Sequence, residues 1–454
     1  MRLSARFRPF WSDIHRTPCQ NGLKNRSNRQ AHRVRGGKEI NLLFMDSIRK
    51  TSPKIAKLLE DEKRKPEETI TLIPSENIIS EAVRMAQASF FANKYAEGYP
   101  GRRYYPGNEN SDKLESLVQE MALETFQLSP KKWKVNVQPY SGSPANLEVY
   151  SALLSLGDTI MGLGLSDGGH LTHGHKVNFS GKAYKAVRYT LDTKTGFIDY
   201  DNLAKLARTE EPKIIISGAT AYSRKINFKK IGEIAKRVGA YHMADISHIA
   251  GLVAAGLHPS PFPWADIVTT TTHKTLRGPR AAMIFSKANL SDMIDKAVFP
   301  GMQGGPHLNV IAAIGVALDE ARKQSFRIYQ KNIINNARVL SEELKDYGFD
   351  IVAGGTDNHL MLLDLKNKHI SGIEAEKILE RAGIIANRNT VPGDVSAFNP
   401  SGIRLGTPSV TTRGMKTKEM EQIAKWIAEL INEKRSPQSV NKEVKFLVKK
   451  FPLN

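Results

Sequence analysis

The chain has 454 residues, 40% apolar and 25% charged, with a formal net charge of +20. That is enough for a large core and two domains, within the composition range of a soluble globular protein. No run of about 18 apolar residues suggests a bilayer span, and Cys19, the single cysteine, excludes disulfides, thiolate catalysis and cysteine-ligated metals from the body.

The charge is uneven. Residues 1–44 hold ten Lys/Arg against Asp13 and Glu39, a net +8 that leaves +12 for the other 410 residues. This leader lacks helical periodicity and contains Asn-Gly and Arg-Gly-Gly, so it reads as disordered. Three readings stay open: an Arg-rich transit peptide, a basic arm for nucleic acid, or a start codon placed too early, with Met45 as the true first residue. The last goes with a cytoplasmic protein, the first with an organelle matrix.

Residues 46–64 read as a short charged helix within an N-terminal arm over 45–79. Ser80 is expected to cap a helix running to about Lys94, with Val83, Ala86 and Phe90 on one face. Tyr95 to Gly107 is too rich in Gly, Pro and Tyr for regular structure. A helix near 111–127 precedes a strand at 135–137. Strands near 159–163, 185–189, 213–217, 241–245, 266–270 and 281–285 then alternate with helices near 144–155, 199–208 and 228–238. Such alternation predicts a largely parallel α/β sheet covered on both faces. One long helical pattern runs from Val310 to about Tyr347. Short strands (349–352, 359–365, 384–387, 403–405) and helices (374–382, 415–433) follow. The division is a large domain over 80–309 and a smaller α+β domain over 310–454.

Several stretches carry chemistry. In Asp266 to Arg280, a β-branched strand ends in His273-Lys274 before Gly278-Pro279. A lysine there suits Schiff-base chemistry, because desolvation and neighbouring cations lower its pKa; the plain alternative is a solvated strand end. In Ser141-Gly-Ser-Pro-Ala-Asn146, Ser143 reads as an N-cap with Pro144 at the first helical position, either an ordinary cap or an anion seat. Asp245 ends a strand where open α/β sheets place ligands, and could bind Mg²⁺, activate a base or hold a protonated ring nitrogen. His248, just beyond, would alone be a structural histidine. In Gly168 to Gly174, His170 and His173 are a conceivable metal pair, although a flat imidazole stacked on a planar ring suits the loop better. Arg404, between Ile403 and Leu405, needs an anionic partner: a substrate carboxylate or an internal salt bridge.

Seven motifs together resemble serine hydroxymethyltransferase: Tyr95-Ala-Glu-Gly-Tyr-Pro-Gly, Ser141 to Asn146, Gly169-His-Leu-Thr-His-Gly, Thr269 to Arg280, Gly301 to Pro306, Gly354 to His359 and Ser401 to Pro408. Their order also follows that family, and only the leader lies outside the resemblance. It implies the aspartate-aminotransferase-like fold type I of pyridoxal-phosphate (PLP) enzymes, with a mostly parallel seven-stranded sheet. It also implies transfer of the serine hydroxymethyl carbon to tetrahydrofolate, giving glycine and 5,10-methylenetetrahydrofolate.

By the same resemblance, Lys274 is the Schiff-base lysine, Asp245 pairs with the ring nitrogen, and His170 stacks on the ring. Thr220 and His248 reach the phenolic oxygen, and His273 lies beside the phosphate and the lysine. Gly142 and Ser143 hold the phosphate, with Tyr95 and Gly305 from across a homodimer interface. Arg404 and Ser75 bind the amino-acid carboxylate; Glu97 and Tyr105 of the neighbouring subunit attend the hydroxymethyl group. Leu165, Gly169, His170, Leu171, Asn389, Ser396, Ala397 and Phe398 meet the folate. The chain departs from the family at Pro106 to Asn110, and at Thr220, where serine is commoner. A dimer, or a tetramer built from it, is expected. A folate-independent PLP aldolase of 3-hydroxy amino acids is the other enzymatic reading, and a basic nucleic-acid-binding protein the non-enzymatic one.

Overall fold

The computed structural model describes residues 45–394 and 398–453. The leader over 1–44, with its three readings, lies outside the described residues. By itself, the segment up to Lys63 is helical at 45–51 and from Pro53, with Arg49 paired to Asp46 and Glu60.

Residues from Arg64 onward form one compact unit containing two main sheets. The larger has seven strands: β1 (Trp133–Asn136), β2 (Thr159–Leu163), β3 (Lys185–Tyr189), β4 (Ile214–Ser217), β5 (Tyr241–Asp245), β6 (Ile267–Thr271) and β7 (Ala282–Lys287). Their order is β1-β7-β6-β5-β4-β2-β3, and only β7 runs antiparallel to its neighbours. Successive strand residues point to opposite faces. Ile214, Ile216, Met243 and Ile267 therefore pack on one side with Ala145, Val149 and Tyr150. Ile215, Ala244 and Val268 pack on the other with Leu203, Phe228, Ile231 and Leu318. Both faces are covered, which is why these strands read as near-continuous apolar runs.

The second sheet has four strands, β8 (Asp350–Ile351), β9 (Leu360–Asp364), β10 (Asn387–Asn389) and β11 (Gly402–Gly406), in the order β8-β9-β11-β10. Met361, Leu363, Ile403 and Leu405 face helices carrying Leu340, Leu344, Ile423, Ile427 and Val444. Ile70 and Leu72 join this core from far upstream, where Ile70–Thr71 pairs in parallel with Ile384–Ile385.

Four local expectations need correction. The helix capped by Ser80 stops at Gln87, a 3₁₀ turn follows over Phe90–Asn93, and Phe90 is 93% exposed. Val83 and Ala86 pack against Ala313 and Ala317 as expected, and only Phe90 lies off that face. The stretch from Tyr95 to Gly107 contains a tight hairpin, Gly98–Tyr99 against Arg102–Arg103. Buried Glu115 and Asp112 anchor it by bonding Arg103 at 2.6 and 2.8 Å. The long helical pattern breaks at Arg322–Lys323 into Leu308–Ala321 and Gln324–Asp346; Phe326 and Ile334 of the second helix still face the first core, and Ala337, Leu340 and Leu344 face the second. Lastly, helix Gly142–Leu153 starts one residue after Ser141, so Ser141 is the N-cap residue and Ser143 and Pro144 lie inside the first turn. The C-terminal helix Pro437–Lys449, which seals the second core with Val440, Val444 and Val448, gave no clear signal in sequence.

One buried group has no apolar logic. Glu148, on helix Gly142–Leu153, is fully buried and neither carboxylate oxygen has a partner among the described residues. Burial lifts its pKa from the ordinary 4.5 to about 8. The folded state therefore keeps a proton that the unfolded chain releases. The stability this contributes is complete below pH 4.5 and is lost as pH rises through about 8. Glu148→Gln is neutral at every pH, so its melting temperature should gain on the parent as pH rises across that window. A pH-independent difference in scanning calorimetry would refute this.

Candidate active site

The parallel strands β1, β2, β4, β5 and β6 end on the same edge of the sheet, and the loops beyond them wall a cavity of about 480 Å³. Of the residues singled out in the sequence, Ser75, Gly142, Ser143, His170, Thr220, Asp245, His248, His273, Lys274, Asn389 and Arg404 line it.

Lys274 lies three residues beyond β6, and its Nζ donates to Thr271 Oγ1 at 3.0 Å. The backbone around it is pinned. Asn77 Nδ2 donates to the Lys274 carbonyl at 2.9 Å, and Gln330 Nε2 to the Thr275 carbonyl at 2.7 Å. Burial pulls the amine's pKa down to about 8; Asp245 opposes this, while Arg404 and Arg280 add to it. Such an amine sheds its proton near neutral pH and can act as a nucleophile.

Asp245 ends β5, with its backbone in register with Thr269 of β6. Burial acts to raise its carboxyl pKa, but hydrogen bonds from His173 (3.3 Å) and Asn146 (3.0 Å) outweigh that and hold it well below the usual range. Ser247 N–H donates to its other oxygen at 3.0 Å. It is thus an ionised acceptor at the cavity wall. His173 serves that carboxylate, and no cluster of three or more metal-ligating side chains occurs among the described residues. His170 Nδ1 lies 2.7 Å from Thr172 Oγ1, which also accepts from Asn146 at 2.8 Å. Burial lowers the His170 pKa to about 4, leaving a neutral flat ring.

At the far wall Arg404 donates to Asn387 Oδ1 (3.2 Å) and the Thr220 carbonyl (2.6 Å). No carboxylate pairs with it among the described residues, so the internal salt bridge is not found. Burial draws its pKa down to about 10, and it remains a cation with spare donors. Thr220 Oγ1 donates to the Gly168 and Gly169 carbonyls, both at 3.2 Å, tying the histidine loop to this wall.

The first turn of helix Gly142–Leu153 opens into the cavity, and the N–H groups of Gly142 and Ser143 have no intrahelical acceptor. An added Cβ at Gly142 would sit 2.6 Å from Thr271 Cγ2, so only glycine admits this approach. The helix end that forms the anion seat therefore begins two residues earlier than the sequence suggested, at Ser141 in place of Ser143. His273 beside it keeps a buried Nδ1 without a protein partner. Burial lowers its pKa to about 3.

Tyr95, Glu97, Tyr105 and Gly305 do not line this cavity. They gather elsewhere: the Tyr95 and Tyr105 rings lie 5.1 Å apart, and Tyr95 and Tyr105 are 58% and 46% exposed. An added Cβ at Gly305 would lie 3.6 Å from Tyr95, and one at Gly304 3.2 Å from Glu97 Oε1. Leu165 and Leu171 start the 3₁₀ turns flanking Gly169 and His170. Phe398 is 93% exposed, and Ser396 and Ala397 lie outside the described residues. Sequence reasoning missed Asn77, Asn146 and Arg280 as members of the site, and His173 as the partner of Asp245. Asn146, Arg280 and His173 had a signal, their places in the quoted Ser141, Thr269 and Gly169 motifs.

A family model described as serine hydroxymethyltransferase matches residues 48–427. The chain belongs to the serine hydroxymethyltransferase family. It is 51% identical over 411 residues to a serine hydroxymethyltransferase of Koribacter versatilis (strain Ellin345), covering 90% of this chain and 96% of that one. The α/β architecture with its seven-stranded, mostly parallel sheet is that of fold type I. Serine hydroxymethyltransferases are PLP-dependent one-carbon transferases, and this chain is one: it exchanges serine and tetrahydrofolate for glycine and methylenetetrahydrofolate. No described helix is long and apolar enough to cross a membrane.

Proposed function

We propose that the cavity holds pyridoxal 5′-phosphate covalently at Lys274 and binds the amino acid through Arg404. One observation carries this: a buried lysine that gives up its proton near pH 8 shares a cavity with a buried, ionised Asp245. The remaining walls fit the group. The helix end at Gly142 and Ser143 suits a phosphate, His170 supplies a flat neutral ring, and buried Arg404 lacks an anion. When bound, the cofactor supplies an electron sink for carbanion chemistry at the amino-acid α-carbon.

The chain's own residues do the rest. Asp245 keeps a proton on the ring nitrogen by presenting a carboxylate that cannot itself be protonated near neutral pH. Arg404 clamps the substrate carboxylate with a planar fork, assisted by Ser75, and so fixes the α-carbon's orientation. Thr220 and His248 face the phenolic side, and Lys274, released, moves protons at the α-carbon. Leu165, Gly169, Leu171, Asn389 and the 396–398 segment are assigned to tetrahydrofolate.

Tyr95, Glu97, Tyr105 and Gly305 stand apart from the cavity of their own chain, which supports a homodimer with shared sites. Glu97 then handles the hydroxyl proton in the partner's site. Subunit mixing tests this. Lys274→Ala and Glu97→Gln proteins should each be inactive. Refolded together in equal amounts, they should recover about a quarter of the parental sites, since half the dimers carry one intact site. No recovery on mixing would assign Glu97 to its own chain.

We place the junction of the large and small domains within helix Gln324–Asp346. Phe326 and Ile334 belong to the first core, and Ala337, Leu340 and Leu344 to the second. A cytoplasmic location is our reading, supported by the similarity to a bacterial enzyme along 90% of the chain.

A further inference from the structure

Beside the active-site cavity lies a second, smaller and more enclosed cavity, and Asp245, His248 and Ala219 line both. It leaves about 10 Å³ for the centre of a water molecule. Three buried histidines line it: His248, His258 and His359.

Their hydrogen bonds constrain one another. His258 Nδ1 lies 3.0 Å from the Pro259 carbonyl oxygen, which only accepts, so Nδ1 carries the proton and Nε2 is bare. His248 Nδ1 and His359 Nε2 lie 3.2 Å apart, so one donates and the other accepts. Two buried ring nitrogens, His258 Nε2 and His359 Nδ1, have no partner among the described residues. Burial lowers His258 to about 4 and His359 to about 3, so these rings stay neutral and do not satisfy the nitrogens by gaining a charge. A buried water needs roughly 10–15 Å³ and two to four polar partners, and the cavity provides both.

We propose that one water molecule occupies this cavity, joins His258 Nε2 to His359 Nδ1, and through His359 sets the tautomer of His248 at the active site. The water donates one hydrogen to His258 Nε2, which can only accept. Its other hydrogen goes to His359 Nδ1. The His359 proton then resides on Nε2 and is donated to His248 Nδ1, so His248 keeps its own proton on Nε2. Arg224 and Asn358 line the same cavity and bring N–H groups for the water oxygen. A donor on His248 is what a negatively charged phenolic oxygen requires. That last link alone rests on the function proposed above; the water and the other two tautomers do not. His359 is on this account a positioning residue.

A crystal structure of the parent protein, at a resolution that reveals ordered water, should show one molecule within hydrogen-bonding distance of both nitrogens. An empty cavity, or a direct contact between His258 and His359, overturns the site. Selective ¹⁵N-histidine NMR reads the tautomers: His258 should carry its proton on Nδ1, and His359 and His248 on Nε2. His258→Phe fills the cavity and removes the acceptor, so the water should be lost and the His359 and His248 resonances should shift. Unchanged resonances would sink the relay, and the parent measurements decide the matter if that variant does not fold. Run on protein stripped of PLP, the same spectra should keep the His258 and His359 tautomers. A His248 resonance that does not shift when PLP is removed would fault the cofactor reading and leave the water intact.

Discussion

Lys274→Ala should lose turnover by at least about 10²- to 10⁴-fold, the range for removing a group that moves protons in the transition state. It should also lose the visible absorbance of a lysine-bound cofactor and release PLP on gel filtration. The reason is local. Among the described residues Lys274 is the only lysine lining the cavity, and burial has already brought its pKa to about 8. Lys274→Arg should not rescue, because a guanidinium keeps its proton and forms no imine. A folding failure is separable from this result. Removing a buried amine that burial disfavours in its charged form should leave the melting temperature equal to or higher than that of the PLP-free parent. A variant retaining both absorbance and turnover would remove the basis of the cofactor assignment.

Arg404→Leu is expected to have the second largest effect, concentrated in KM. Two charge-assisted hydrogen bonds to a carboxylate are worth about 1.5–3 kcal/mol each, which corresponds to about 10²- to 10⁴-fold in kcat/KM for serine. Because the carboxylate is held equally in ground and transition states, kcat should move less than KM. Arg404→Lys should recover little, since a point charge does not reproduce the planar fork. The cofactor's absorbance should persist in both variants, because Arg404 touches Thr220 and Asn387 and not the Lys274 loop. A change in kcat/KM below about tenfold would mean that the carboxylate binds elsewhere, and the unpaired Arg404 would then lack an explanation.

The strands of the large sheet were legible because each is a short β-branched or apolar run, and burial on both faces imposes that composition. Helices with one apolar stripe, such as Phe228–Arg237, were legible for the same kind of reason. Phe90 misled, because its spacing matched a core face although it is exposed in this chain. The 310–347 pattern read as one helix because its apolar periodicity continues across the break, where Phe326 and Ile334 still face the first core. The shift of the N-cap from Ser143 to Ser141 is a matter of one turn's geometry, where Ser, Gly, Ser and Pro all fit.

The identities of the reactive groups were written in the chain itself: a lysine after a buried strand, an aspartate ending the strand beside it, a glycine-flanked histidine loop and an arginine between apolar neighbours. These are local facts, and strand ends on a parallel sheet project their residues to one edge. The tertiary structure decided what each group experiences. Asp245 stays ionised because His173 and Asn146 reach it from other segments. Lys274 loses its proton easily because folding removes water from it. Arg404 is left without a carboxylate because its neighbours offer only a carbonyl and an amide oxygen. Desolvation and long-range hydrogen bonds depend on which distant residues become neighbours, and no single stretch of sequence contains that information.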